Sequence, residues 1–381
     1  MKLVNDNINL LKNNSKIKKL DIKLSLTEIK ECMYKYKSDS MCKTDIEINE
    51  YDGITVLLKG SSDETIETDW KYFNDIVTYI VNNRKEDVKK DTFKNECIIN
   101  ERDRNYTRPY EILASDYVNQ YSNGRLYITG HVASLMDKLD KCILEFAKQE
   151  NAIEFYSEPL WYEDELEKFG YSKDNENLFK INKFDDRSDI YWQNAVCDNI
   201  WESLENKTID KFTVYSSLGV CSRTERNQTY FFERMNVFHM REIVAVGEKE
   251  NVIKFRERAI QFVIELSQKL KLNFSLEEAS DPFFIEDTNT LKDTNSKLEL
   301  PEVVKVEFRP HLYDNKSLAC ASFNVHGNFF VKKFNYMSKN NDENLWTSCI
   351  AFGLERWCWA ILVQFGTDVN KWPEHLKSLI F

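Results

Sequence analysis

Glycine and proline are scarce in this chain, at 10 and 6 of 381 residues. So few glycines exclude folds that rely on repeated glycine turns. They leave nucleotide binding open, because arginine forks hold phosphate without a glycine loop. No run of 18 apolar residues occurs, so no membrane-spanning helix and no membrane partner are expected. The opening Met1-Lys2-Leu3-Val4-Asn5-Asp6 lacks the apolar core of a signal peptide. Nine cysteines are odd in number, scattered and never spaced as CxxC, which fits a reducing, cytoplasmic setting. Most of them read as small buried hydrophobes. No internal repeat is visible.

Aromatics, by contrast, abound: 24 Phe, 18 Tyr and 8 Trp supply a large core and rule out a disordered composition. The net charge of −11 is unevenly spread, since residues 1–100 carry 17 Lys/Arg against 18 Asp/Glu and the acid excess follows them. An acidic second part argues against broad nucleic-acid binding and suits a small-molecule substrate or a selected protein partner.

Residues 1–100 read as a small α+β module. Asn9–Lys19 looks like an exposed arm. Leu26–Tyr36 has helical spacing through Leu26, Ile29 and Met33, and Ile46–Leu58 carries β-formers around an Asp52-Gly53 turn. Trp70, Phe73, Ile76, Val77 and Ile80 form a helical stripe, and charged Asn82–Asn95 is the linker candidate. Residues 101–381 form the second domain. Helices are expected over Ala133–Gln149, Glu248–Leu270 and Gly353–Phe365, the last apolar enough to be buried on most sides. Extended segments are expected at Ile153–Tyr156, Thr213–Ser217, Phe238–Val246, Val303–Phe308 and Phe329–Phe334.

Two short stretches carry chemistry. Arg223-Thr224-Glu225, a polar stretch and the returning Phe238-His239-Met240-Arg241-Glu242-Ile243-Val244 resemble motif 2 of class II aminoacyl-tRNA synthetases. Gly353-Leu354-Glu355-Arg356 at a helix start resembles motif 3, and the 133–149 helix leading to Pro159 resembles the looser motif 1. An Arg-x-Glu alone is common by chance; two such pieces in order, each on the expected element, are far more specific. The wider phrases Met240–Val244, Ser280–Phe284, Ser322–His326 and Cys349–Trp357 resemble the bacterial amino acid:[carrier protein] ligases, relatives of the zinc-dependent seryl-tRNA synthetases of methanogens. The resemblance spans roughly residues 105–381.

It implies an α+β fold with a six- or seven-stranded antiparallel sheet flanked by helices, an aminoacyl-adenylate intermediate, a catalytic zinc and a homodimer built on motif 1. Activation brings a carboxylate to the α-phosphate of ATP, so cationic forks and Mg²⁺ must offset like charges. By this resemblance Arg223 bridges carboxylate and α-phosphate, Glu225 and Phe238 take adenine, Arg356 takes the γ-phosphate and Arg234 the bent triphosphate. Glu299 and Asn324 fall in positions that help hold Mg²⁺ and ATP. Cys197, Glu242 and Cys349 fall at the zinc ligands, leaving a fourth position for water or the substrate amine. Cys221, Cys320 and Cys358 are rival thiols, Cys320 the most serious.

The expected amino acid is small. The favoured acceptor is the phosphopantetheine thiol of a carrier protein, with residues 1–100 influencing partner choice. Aminoacylation of tRNA in the manner of a seryl-tRNA synthetase is the less favoured alternative, because the module is near neutral. A non-catalytic scaffold is the third.

Overall fold

The computed structural model describes residues 15–20, 32, 36, 44–49, 55–59, 62–82, 94–97, 105–120, 125–169, 171, 178–181, 189–224, 231–279, 304–339 and 344–380. Most of the expected Leu26–Tyr36 helix, the Asp52-Gly53 turn, most of the linker Asn82–Asn95, Glu225, the Ser280–Phe284 phrase and Glu299 lie outside these residues. The chain forms two compact units, one from Met1–Val88 with Pro109–Tyr127, the other from Lys89–Arg108 with Ile128–Phe381.

In the first unit a three-stranded antiparallel sheet places Thr55–Lys59 between Ser15–Lys19 and Asp45–Asn49. The helix Asp63–Asn82 buries Phe73, Ile76 and Val77 of the expected stripe, together with Ile66, while Trp70 is half-buried, and the sheet buries Val56 and Leu58. Lys16 and Lys18 reach Glu67 on that helix. The pairs are exposed and tie little free energy to the packing.

The second unit is organised on one eight-stranded sheet. Its strands in chain order are β1 (Lys94–Cys97), β2 (Ile153–Glu154), β3 (Thr213–Ser222), β4 (Val237–Glu248), β5 (Phe274–Ala279), β6 (Lys305–Pro310), β7 (Ala321–Gly327) and β8 (Leu345–Gly353). They lie side by side as β1-β5-β6-β7-β8-β4-β3-β2. Every neighbouring pair is antiparallel except β2 with β3. The sheet exceeds the expected six or seven strands because two short pieces, β1 and β2, extend its edges.

Alternation along the strands separates two faces. In β6, Val306 and Phe308 are buried on one side while Lys305, Glu307 and Arg309 occupy the other. The first side is covered by α1 (Gly130–Gln149), α3 (Lys249–Lys269) and α5 (Leu354–Phe365). α1 buries Val132, Leu135, Leu139, Ile143 and Phe146, with Phe146 stacked on Phe262 of α3 at 4.6 Å. This chain's own α3, α5 and Glu374–Ile380 helix take up that stripe, so the stripe by itself does not require a second copy. Arg241 of β4 is buried and fastens the sheet to α1 through Asp140 at 2.5 and 3.0 Å.

On the opposite face lie α2 (Cys197–Ser203) and α4 (Phe329–Lys333). Here the sequence favours a strand over Phe329–Phe334, and the chain forms a helical turn instead. The reason is tertiary. Phe329, Phe330 and Phe334 fall on one side of a helix, and Phe330 stacks on Trp201 of α2 at 5.0 Å with His326 edge-on at 4.9 Å. That packing overrides the β propensity of Phe and Val.

Candidate functional site

The polar face of the sheet carries a cavity of about 280 Å³. Register explains its floor. Glu307, Ser322, Ala351 and Glu242 stand directly opposite one another across β6, β7, β8 and β4. One step along, Lys305, Asn324 and Cys349 form a second row. Successive side chains on one face of each strand therefore converge from residues far apart in sequence, and all of these line the cavity.

At one end three metal-ligating groups meet. Cys197 begins α2, Glu242 is on β4 and Cys349 on β8, and their ligand atoms lie within 4.8 Å of one another. Glu242 is buried and accepts hydrogen bonds from the backbone N–H groups of Val196 and Cys197 at 3.1 and 2.5 Å. Burial raises its carboxyl above the usual range. The Cys197 thiol is pushed up by its hydrogen bond with Cys349 and by burial. Cys349 stands at about 11: the contact with Cys197 pulls it down while burial and the Glu242 and Asp198 charges push it up. Two thiols and a carboxylate, with Glu242 and Cys349 buried and Cys197 half-buried, suit borderline-soft zinc and leave a fourth position open. Among the described residues this is the one cluster of its kind. Cys320 also lines the cavity but stands outside the trio, and Cys358 is buried without lining it.

Arg223 and Phe238 stand together beside it. The Arg223 guanidinium lies 5.2 Å from the Phe238 ring centroid, and its Nε and Nη2 donate to the Asn194 carbonyl at 3.4 and 3.2 Å. Arg356 enters from the first turn of α5, with Nε on the Glu233 carbonyl and Nη1 on the Ala319 carbonyl, each at 3.0 Å. Glu355 is buried beside it and accepts from the His239 backbone N–H and, at 2.7 Å, pairs with His239 Nδ1. Arg234 is half-buried in the loop before β4 and does not line the cavity. Thus Cys197, Arg223, Phe238, Glu242, Asn324, Cys349 and Arg356 share one cavity.

Several groups there escaped sequence reasoning. Asp198 is buried, with burial and the Glu242 charge holding its carboxyl up at about 7, and Tyr171 Oη donates to its Oδ2 at 3.0 Å. His326 is buried and neutral, burial holding it at about 3. Asn194 keeps a buried Oδ1 with no hydrogen-bond partner among the described residues, as does Asn324, which the sequence already singles out. Asp198 could have been found as the neighbour of Cys197, and Lys305 and Glu307 from the Lys-Val-Glu-Phe-Arg alternation; nothing local marks Asn194.

No family model matches the chain. A 195-residue stretch is 34% identical to the type-2 serine–tRNA ligase of Methanococcus aeolicus, covering 49% of this chain and 36% of that protein. The type-2 serine–tRNA ligase of Methanocaldococcus jannaschii is 30% identical over 193 residues, again 49% of this chain and 36% of the relative. This chain thus spans little more than a third of the length of these curated relatives. Among solved structures, M. kandleri SerRS in complex with A. aeolicus tRNASec superposes with a TM-score of 0.64 at 20% identity, over 96% of this chain and 77% of that one. The cytoplasmic serine–tRNA ligase of Naegleria fowleri in complex with AMP gives 0.55 at 11% identity, over 84% and 71%. The fold is that of the class II aminoacyl-tRNA synthetases.

These findings correct the carrier-protein reading. The similar proteins are type-2 serine–tRNA ligases, so neither a carrier-protein ligase nor a phosphopantetheine thiol acceptor is retained. The low place given to tRNA is corrected as well, because the structure matched over nearly the whole chain is a synthetase–tRNA complex. The physical reason is that short motifs such as Arg-x-Glu and Gly-Leu-Glu-Arg, and a Cys/Glu/Cys trio, encode nothing about an acceptor. Among the described residues no helix is long and apolar enough to cross a membrane.

Proposed function

We propose that this chain activates serine with ATP as seryl-adenylate and transfers the seryl group to tRNA. One observation carries the reading: a Cys/Glu/Cys trio shares a single 280 Å³ cavity with Arg223, Phe238 and Arg356. In the activation step a carboxylate oxygen of serine attacks the α-phosphorus, the phosphoanhydride bond breaks and pyrophosphate leaves with the electron pair. Arg223 bridges the incoming carboxylate and the α-phosphate, and the Asn194 carbonyl that holds its Nε and Nη2 fixes the fork before substrate arrives. Phe238 lies under adenine, and Arg356, braced by the Glu233 and Ala319 carbonyls, meets the far end of the triphosphate. Asn324, which lines the cavity, would help hold the Mg²⁺ that neutralises the triphosphate charge. No general base is needed, since the carboxylate is already a nucleophile. In the second step a ribose hydroxyl at the tRNA terminus attacks the acyl carbon, AMP leaves, and the hydroxyl proton passes to solvent or phosphate.

Cys197, Glu242 and Cys349 would hold zinc, which supplies a Lewis-acid seat for the serine amine and so admits an α-amino acid by its head group. The chain's own contribution is to bury that seat beside Arg223, so that an amine on one side and a carboxylate on the other define the substrate's length.

The test is exchange of labelled pyrophosphate into ATP, followed by charging of total tRNA. With zinc and Mg²⁺ present, serine supports exchange, and Arg223→Ala or Arg356→Ala lowers kcat/KM by about 10²–10³ while circular dichroism stays unchanged. Absence of exchange with all twenty amino acids would overturn the enzyme reading. Exchange without any charging of tRNA would overturn the acceptor alone.

A further inference from the structure

The cavity contains a carboxylate that the proposed activation does not use. Asp198 follows Cys197 at the start of α2, is 4% exposed and lines the cavity. Among the described residues its one side-chain hydrogen bond comes from Tyr171 Oη to Oδ2 at 3.0 Å, and Tyr171 lines the same cavity. Oδ1 accepts from no donor among the described residues. Burying a carboxylate with so little compensation costs several kcal/mol, and a core position one residue into a helix would be filled more cheaply by an apolar side chain. The open oxygen is therefore suited to a donor that arrives with the ligand.

Geometry limits what that donor can be. If the amine sits at the Cys197–Glu242–Cys349 trio and the carboxylate at Arg223, the α-carbon lies between them, and its side chain can reach only groups that border both. Asp198 does so: it is the chain neighbour of Cys197 in the trio and lines the same cavity as Arg223. Resting on the activation reading above, we infer that Asp198, held by Tyr171, is the residue that selects the amino-acid side chain, accepting a hydrogen bond from a hydroxyl on the β-carbon. Alanine and glycine would leave this buried oxygen unpaired, and that is the kind of mismatch that sites reject most strongly. A site built for a hydroxyl rejects the analogue lacking it by about 10⁴-fold, against about 10–200-fold for a missing methylene in an apolar pocket.

The measurement is kcat/KM for pyrophosphate exchange by the full chain with L-serine, L-alanine, glycine and L-2,3-diaminopropionate, alongside calorimetric binding of L-serine and L-alanine. The unmodified protein is expected to prefer serine to alanine by at least about 10³ in exchange and to bind serine measurably more tightly. Asp198→Ala collapses the ratio to within about tenfold while zinc stays at its original stoichiometry. Asp198→Asn, which keeps an acceptor, retains an intermediate ratio, and Tyr171→Phe lowers it less than Asp198→Ala. A serine-to-alanine ratio near one in the unmodified protein would sink the inference even if no variant folds. So would a ratio that Asp198→Ala leaves unchanged, a loss of zinc in that variant that accounts for the whole effect, or a preference for the diamine. No exchange with any amino acid would instead sink the activation reading on which the inference rests.

Discussion

Loading the Cys197–Glu242–Cys349 site should release protons, and the number follows from the burial of its thiols. Zinc binds thiolates, so every thiol that is protonated in the free protein must give up its proton on binding. The Cys349 thiol stands at about 11, and Cys197 is pushed well above its ordinary value by its hydrogen bond with Cys349 and by burial. At pH 7 a thiol with a pKa near 11 is ionised to about one part in 10⁴, so both begin protonated. Two protons then leave for each ion bound. Apparent zinc affinity accordingly rises about 100-fold per pH unit up to the range where the thiols ionise unaided, or about 10⁴-fold from pH 6 to pH 8, roughly 5.4 kcal/mol. Competition against a chromophoric chelator across that range gives the slope. Calorimetry in buffers of different ionisation enthalpy gives the proton count directly. Cys349→Ser should reduce the slope to about one proton. A slope near zero, or release of less than about half a proton, would refute the reasoning, because it would mean that zinc is held by groups other than these thiols or that the thiols are already ionised.

Two further outcomes are expected. A Cβ at Gly219 would lie 2.9 Å from both Gln193 Nε2 and Val196 Cγ2, so Gly219→Ala should displace the segment that carries Asn194 and Cys197, costing about 1–3 kcal/mol and lowering zinc stoichiometry; an unchanged Tm and metal content would contradict this. Burial holds His326 at about 3, below its ordinary 6.5, so between those values the unfolded chain binds a proton that the folded chain refuses and stability falls as pH drops. His326→Phe should therefore lose roughly 3 kcal/mol less than the parent between pH 6.5 and pH 4, read by urea unfolding at each pH, and identical pH dependence in the two proteins would count against it.

The site was partly legible because some of its chemistry is local. Gly353-Leu354-Glu355-Arg356 places an arginine in the first turn of a helix immediately after a strand, and Arg223 directly follows a strand whose partner returns at Val237; such strand–loop–strand and strand–helix units announce themselves in a few residues. The acceptor was not legible for the opposite reason. The family resemblance lies in those units, whereas choice of acceptor depends on surfaces that motifs do not describe, and the mistaken carrier-protein reading came from extending one to the other. The strand expected at Phe329–Phe334 failed for a related reason: aromatic residues favour strands only when nothing packs them otherwise, and Trp201 and His326 do.

By itself, then, the sequence pointed to the long helices expected over 133–149 and 248–270, the apolar helix after Gly353 and the alternating strands, because periodicity acts between neighbours in the chain, while the candidate arginines and metal ligands came from the resemblance of short motifs to a known family. Tertiary structure alone decided that Glu242 lies in register with Ala351, Ser322 and Glu307, that Cys349 joins the trio while Cys320 stands apart, and that Asp198 and Asn194 face the same cavity. Those relations depend on strand register and sheet order, which bring residues a hundred or more positions apart into contact, and no local pattern of side chains specifies them.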